Sequence, residues 1–204
     1  MVKPIFDFLL ALIGILLLWP FFLIIAAFIK LGSKGPVLFK QKRIGKHKKE
    51  FYILKFRTMR TDTPAEMPTH LLQDPDFFIT KVGKFLRKTS LDELPQIINI
   101  LKGEMSIIGP RPALWNQYDL IAERDKYKAN DVKPGLTGWA QINGRDELPI
   151  RVKAEMDGKY TDSISLLFDI KVFLMTIFSV LKSDGIREGA SAQEASSKTK
   201  GVNL

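Results

Sequence analysis

From Phe8 to Ile29 the chain carries no charged side chain. This stretch constrains the fold more than any other, because as a helix it is long enough to cross a hydrocarbon layer of about 30 Å. A cleaved export signal is the competing reading, but the apolar run outlasts an ordinary signal core and no convincing cleavage site follows. The flank after it holds Lys30, Lys34, Lys40, Lys42, Arg43, Lys46, Lys48 and Lys49, which by the positive-inside rule faces the cytoplasm. Pro20 follows Trp19 inside the apolar run and predicts a kink there, since proline removes one backbone hydrogen bond and crowds the preceding turn. Two topologies follow: a kinked helix that spans, or a helix–break–helix that dips into one leaflet and returns to the same side. The residues alone favour the spanning form, proline being common in membrane helices.

The rest of the chain must do its chemistry without sulfur. There is no cysteine among 204 residues, and only His47 and His70 offer imidazole. Disulfides, thiolate nucleophiles, cysteine-based zinc sites and multi-histidine metal sites are thereby excluded or improbable. Asp, Glu, Lys, Arg and hydroxyl groups remain. The net charge of +9 favours an anionic partner: nucleic acid, acidic lipid or a phosphorylated substrate.

Beyond the membrane segment, Val37–Arg43 and Phe51–Arg57 read as strands joined by the basic turn Gly45–Lys49. Thr61–Asp76, with Pro64, Pro68 and Pro75, reads as a surface loop. Lys81–Lys88 is predicted helical, and Pro95–Leu101 forms the core of another helix. Gly103–Pro112 and Lys133–Arg145 hold too much Gly and Pro for regular elements. Ser165–Leu181 repeats apolar residues at helical spacing, with Leu166, Leu167, Ile170, Phe173, Leu174, Ile177 and Phe178 on the stripe. It is either a core helix, the favoured reading, or an amphipathic helix on the membrane surface. From Glu188 the Ser/Ala/Lys-rich tail is expected to be disordered. No internal repeat is present.

Four segments carry candidate chemistry. In Arg87–Gln96, Ser90 and Glu93 fit a Ser-x-x-Glu capping box. That register, however, sets Pro95 where a backbone N–H is needed. A cap at Asp92 or Glu93 moves the proline into the tolerant first turn and leaves both acids at the positive helix end, where phosphate also binds. Asp92 is then a cap, a metal ligand or a nucleophile. In Gly103–Pro112, prolines flank Arg111 and hold a forked cation suited to phosphate, although such a turn is more often ordinary surface. Lys133–Arg145 offers glycines for close approach, with Trp139, Gln141, Asn143 and Arg145 for stacking and polar contacts. On Tyr52–Met59, Lys55 and Arg57 share one strand face, by default a solvated one.

In order along the chain stand L-K-F-R-T-M (54–59), S-L-D-E-L-P-Q (90–96), S-I-I-G-P-R-P (106–112) and P-G-L-T-G-W-A-Q-I-N-G-R (134–145). Together, behind such a membrane segment, they resemble the monotopic phosphoglycosyl transferases, the bacterial sugar transferases that begin glycan assembly on a lipid carrier. The likeness runs to about Arg187 and is to the minimal, single-domain members. It implies a mostly helical α+β fold: a membrane-embedded helix over 1–30, a cytoplasmic catalytic domain over 31–187 with a short β-hairpin and amphipathic interfacial helices, and a tail over 188–204. It implies transfer of a sugar-1-phosphate from a UDP-sugar to polyprenyl (undecaprenyl) phosphate at the inner membrane, with Mg²⁺ and release of UMP. Asp92 matches the nucleophile and metal-associated carboxylate, and Glu93 the second acid of the dyad. Arg87 and Arg111 match phosphate-binding positions, and Lys55 a basic residue near the site. Gln141, Asn143 and Arg145 complete the expected substrate-binding set, and the loop after Gly135 is a suspected sugar selector. Inner-membrane phospholipid is an expected partner and nucleic acid is not. The likeness also favours the re-entrant topology, although Trp19 stands where relatives commonly place a Ser before the proline. A basic, non-enzymatic tether and a nucleotide-sugar hydrolase are the rival readings. The identity of the sugar is not legible.

Overall fold

The computed structural model describes residues 2–63, 75–144 and 148–182. Arg145, most of the predicted 61–76 loop and the 188–204 tail lie outside these residues. Eight helices and four strands are assigned among the described residues.

Helix α1 runs from Lys3 to Gly32 and contains Pro20. At 1.5 Å per residue it is about 45 Å long. It is one helix, where the re-entrant reading expected two segments flanking a break. Proline's fixed φ is helical, and its cost is confined to one lost hydrogen bond and one crowded turn. The helix is apolar around most of its circumference, yet one stripe is engaged by the domain. Asp7, Ala11 and Ile29 are buried, and Ile15, Leu18, Phe22 and Ile25 pack beside them. Steps of three and four residues keep these positions on one face. The opposite face leaves Leu9, Ile13, Leu16, Leu17, Leu23, Ile24 and Phe28 exposed.

Both ends of α1 are tied to the domain. Near the start, Lys3 Nζ donates to Asp169 Oδ2 at 2.6 Å, while Asp7 accepts from Ser106 Oγ at 2.8 Å and from the Ile107 amide at 3.1 Å. Past the end, buried Arg57 donates to the carbonyls of Lys34 at 2.6 Å and Ser33 at 2.8 Å. These are the carbonyls of the C-cap residue and of the one after it, where the chain leaves the helix. The solvated strand face expected for Arg57 is therefore corrected: the guanidinium turns inward to close the exit of α1.

Strands β1 (Leu38–Ile44) and β2 (Glu50–Phe56) form the expected antiparallel hairpin, within a residue at each end. Helix α2 (Pro75–Phe78) precedes α3 (Lys81–Lys88). Thr80 caps α3, accepting from the Gly83 amide at 2.9 Å. After a 3-10 turn at Leu91–Glu93, α4 spans Gln96–Leu101 with Pro95 as its N-cap. Neither sequence placement of the cap holds. Ser90 adopts a left-handed φ of 57° and makes no capping hydrogen bond, and the side chain of Glu93 is engaged elsewhere. Asn99 then fastens α4 to β2, with its Oδ1 accepting from the Leu54 amide at 3.0 Å and its Nδ2 donating to the Tyr52 carbonyl at 2.8 Å. The free edge of β2 is thus satisfied by a side chain rather than by another strand.

The two Gly- and Pro-rich segments do contain regular structure. Ser106–Ile108 (β3) and Gly135–Thr137 (β4) pair in parallel, and Trp139–Ile142 forms α6. Pairing is possible because Gly135 passes so close to Gly109 that a Cβ would collide with its backbone. Helices α5 (Tyr118–Asp125), α7 (Ile150–Asp162) and α8 (Leu166–Lys182) complete the domain. Burial first, and then its hydrogen bond to Asp169, pushes the Tyr160 phenol far above its usual range, so it is a fixed donor to Asp169 Oδ1 at 2.7 Å.

Helix α8 has its polarity reversed. Its inward face holds Asp169, Val172 and Thr176, the last sharing a 2.8 Å hydrogen bond with Thr137. The predicted apolar stripe, from Leu166 and Leu167 to Phe178, is exposed throughout. The core-helix reading is therefore corrected: among the described residues the stripe is left on the surface rather than buried.

Candidate active site

Three elements converge on the acidic pair. The left-handed Ser90 ends the run from α3 and lets the chain turn at once into Leu91–Glu93. A non-glycine residue in that region costs roughly 1 kcal/mol, and here it sets two consecutive acids against β2. Strand β2 supplies Lys55, and the segment after β3 supplies Arg111. Glu93 Oε1 accepts from Lys55 Nζ at 2.7 Å and from Arg111 Nη2 at 3.0 Å. Lys55 Nζ also lies 3.9 Å from Asp92 Oδ2. Lys55 is thus no solvated strand residue but a cation shared by both acids.

The neighbouring carboxylates are treated differently. Glu93 is satisfied by two cations, whereas buried Asp92 accepts no hydrogen bond from any described residue. Burial pushes the Asp92 carboxyl above its ordinary range; Lys55 opposes this, Glu93 adds to it, and Arg87 and Arg111 oppose it more weakly. For Glu93, burial also acts upward, but Arg111 and Lys55, through charge and hydrogen bonding, hold the carboxyl well below its usual range. One acid is a fixed anion, and the other is a desolvated, under-coordinated oxygen pair within reach of cations. A carboxylate in that state is available to a ligand or an electrophile.

Arg87 approaches from α3. Its Nε donates to Thr58 Oγ1 at 2.9 Å, and its charge is felt at Asp92. Thr58 was not singled out by the sequence reading, although it lies in L-K-F-R-T-M between Arg57 and Met59. It orients Arg87, and its carbonyl accepts from the Thr80 amide at 2.9 Å. The other expected substrate contacts are placed apart. Gln141 is buried, with Nε2 at 3.5 Å from the Leu136 carbonyl and Oε1 without a partner. Exposed Asn143 donates to the Trp139 carbonyl at 2.7 Å, closing the end of α6. No hydrogen bond or ion pair described here joins either one to the acidic pair. Arg145 is outside the described residues.

No group of three or more His, Cys, Asp or Glu side chains able to hold a metal occurs among the described residues. A resident multi-ligand metal centre does not fit this site. Mg²⁺ carried largely by phosphate oxygens and water does fit, since it needs only one or two protein carboxylates and Asp92 accepts no hydrogen bond among the described residues.

The family described as "Bacterial sugar transferase" matches residues 1–183. The chain is 42% identical over 191 residues to the uncharacterized sugar transferase EpsL of Bacillus subtilis (strain 168), an alignment covering 91% of this chain and 90% of that one. It is 42% identical over 186 residues to a UDP-glucose:undecaprenyl-phosphate glucose-1-phosphate transferase of Xanthomonas campestris pv. campestris, covering 88% of this chain but 38% of the relative. It is also 41% identical over 187 residues to a UDP-N-acetylgalactosamine-undecaprenyl-phosphate N-acetylgalactosaminephosphotransferase of Aeromonas hydrophila, covering 89% and 44%. The chain therefore spans about two fifths of the length of these last two relatives. A family match over residues 1–183, together with identity to a relative of nearly equal length, places this protein in the bacterial sugar transferase family, as an enzyme.

Proposed function

We propose that this enzyme transfers a sugar-1-phosphate from a UDP-sugar to undecaprenyl phosphate, releasing UMP, by way of a covalent intermediate on Asp92. The observation that carries the reading is the unequal pair: Glu93 is held by two cations, while Asp92 is buried with no donor on it. The names of the Xanthomonas and Aeromonas relatives support the donor and acceptor classes.

An Asp92 oxygen attacks the β-phosphorus of the donor. The bond from that phosphorus to the bridging oxygen breaks, and UMP leaves with the electron pair. A phosphate oxygen of the lipid then attacks the aspartyl phospho-sugar, restoring the carboxylate and forming the lipid-linked diphosphate. A diphosphate and an attacking carboxylate repel, so Lys55, Arg87 and Arg111 serve to neutralise charge where it develops. Glu93 keeps Lys55 and Arg111 aimed at that position. Mg²⁺, held by Asp92 and substrate oxygens, would add positive charge at the diphosphate.

Membrane placement belongs to the same reading. Lys3 and Asp7 at one end of α1, and Arg57 near the other, bond within one domain. This supports a helix that bends at Pro20 and so enters and leaves lipid on the same side, and the basic flank after Gly32 favours the cytoplasmic side. The outward stripe of α8 supports its lying on the bilayer surface.

The deciding experiment measures UMP release by detergent-solubilised protein with Mg²⁺, a panel of UDP-sugars including UDP-glucose and UDP-N-acetylgalactosamine, and undecaprenyl phosphate present or absent. Turnover that requires one sugar, the lipid and Asp92 is expected. Sustained release without lipid would mean hydrolysis instead. Arg111→Ala is expected to weaken donor use while leaving membrane association intact, and equal loss of both would make Arg111 structural.

A further inference from the structure

Trp139 lies at the start of α6, partly exposed, and packs on Phe168 with ring centroids 5.2 Å apart. Two ammonium groups converge on its indole: Lys171 Nζ from α8 at 5.5 Å and Lys159 Nζ from α7 at 5.9 Å. Both lysines are exposed, and neither pairs with a carboxylate among the described residues. Two ammonium groups beside one indole concentrate positive charge there, which an anion would neutralise. Lys171 follows Ile170 directly, on the helix whose Ile170, Phe173 and Leu174 point away from the protein. An indole with flanking lysines at the border of an apolar surface is the arrangement that sits at headgroup level in a bilayer.

We infer that Lys159, Trp139 and Lys171 form a headgroup site for an anionic phospholipid, whose phosphate is neutralised by the two ammonium groups while its acyl chains run along the outward stripe of α8. Neutral lipid supplies the same chains without net negative charge, so the site selects by headgroup. It uses none of the groups around Asp92. The inference rests on membrane placement and not on the transfer chemistry.

The test uses full-length protein in mixed micelles, with Trp19→Phe and Trp115→Phe leaving Trp139 as the sole indole. Phosphatidylglycerol or phosphatidylcholine carrying brominated acyl chains is titrated in, and quenching of Trp139 is followed. Preferential quenching by phosphatidylglycerol is expected. Each lysine near an anionic surface is worth roughly a fivefold change. Lys159→Gln or Lys171→Gln should therefore raise the half-quenching mole fraction about fivefold, and the double variant about 25-fold, to the phosphatidylcholine value. Equal quenching by the two lipids, or a preference that survives in the double variant, would overturn the inference. Quenching by neither lipid would refute the membrane placement of α8 as well, independently of any result on UMP release.

Discussion

The Arg124–Asp157 pair between α5 and α7 and the Asp92–Glu93 site between β2 and α4 are both ionic and both withdrawn from water, but they are completed differently. Asp157 Oδ2 takes two hydrogen bonds from one guanidinium, at 2.8 and 2.6 Å. Burial pushes its carboxyl upward, and Arg124 opposes this by charge and hydrogen bonding. Both oxygen-directed donors, Nε and Nη2, end on the carboxylate, and the pair is sealed, with side chains 4% and 2% exposed. At the other site the same kind of matching reaches Glu93 and stops short of Asp92. A closed ion pair fixes the arrangement of two helices, whereas the incomplete one leaves a carboxylate for an incoming group. Burial of charge marks a functional site only where its pairing is unfinished.

Four substitutions test that contrast. Asp92→Asn should reduce transfer by more than about a thousandfold, as loss of a nucleophile does, without lowering the melting temperature. Because the folded Asp92 carboxyl is raised, its charge costs stability above the ordinary carboxylate value, so any gain from Asn should grow as the pH rises from about 3.9 toward the raised folded value. A variant that melts lower at pH 8 would mean that the charged group supports the fold. Asp157→Ala should do the opposite, costing about 3–5 kcal/mol by stranding Arg124. Denaturant unfolding in detergent would measure this, and activity per folded molecule should be unchanged.

Glu93→Gln should cost about 1–3 kcal/mol, since Lys55 and Arg111 lose a charged acceptor. Glu93 is depressed in the folded state, so its contribution is complete above the unfolded value of about 4.3 and fades as the pH falls toward the folded one. The gap between the wild type and Glu93→Gln should therefore narrow in acid, and a gap that widens would contradict the assignment. Asp7→Ala, with the smallest effect, should cost about 1–2 kcal/mol by leaving the Ile107 amide unpaired and Ser106 Oγ with the Ile108 carbonyl alone. Faster hydrogen exchange confined to the start of α1 and β3 would be its signature.

The hairpin and helices α3, α4 and α8 were legible because alternation and helical spacing are local signals. The β3–β4 pair was not, since parallel pairing depends on two short segments meeting across intervening α5, and their Gly and Pro content argued for loops. Helices α5 and α7 received no sequence assignment. The acids at 92 and 93 were found through the order of four motifs, and their unlike states through structure alone: nothing local says that Glu93 takes both Lys55 and Arg111. Arg57 and Lys55 look alike on their strand, yet one closes a helix and the other serves the acids. For α8 the periodicity was read correctly, but which side it would present was not.

Strand β2 and the residue after it carry two cations with separate tasks. Arg57, the residue after β2, holds the exit of α1, and Lys55, two residues earlier on the strand, touches the acid pair. At about 3.3 Å per residue, two strand positions measure roughly 7 Å. With α1 in lipid and Asp92 as the nucleophile, as proposed, that short span would act as a depth gauge, keeping the carboxylate at a set height above the lipid. An acceptor phosphate carried at headgroup level would then need no lifting out of the bilayer, and a single residue inserted between Lys55 and Arg57 would put the gauge out of register.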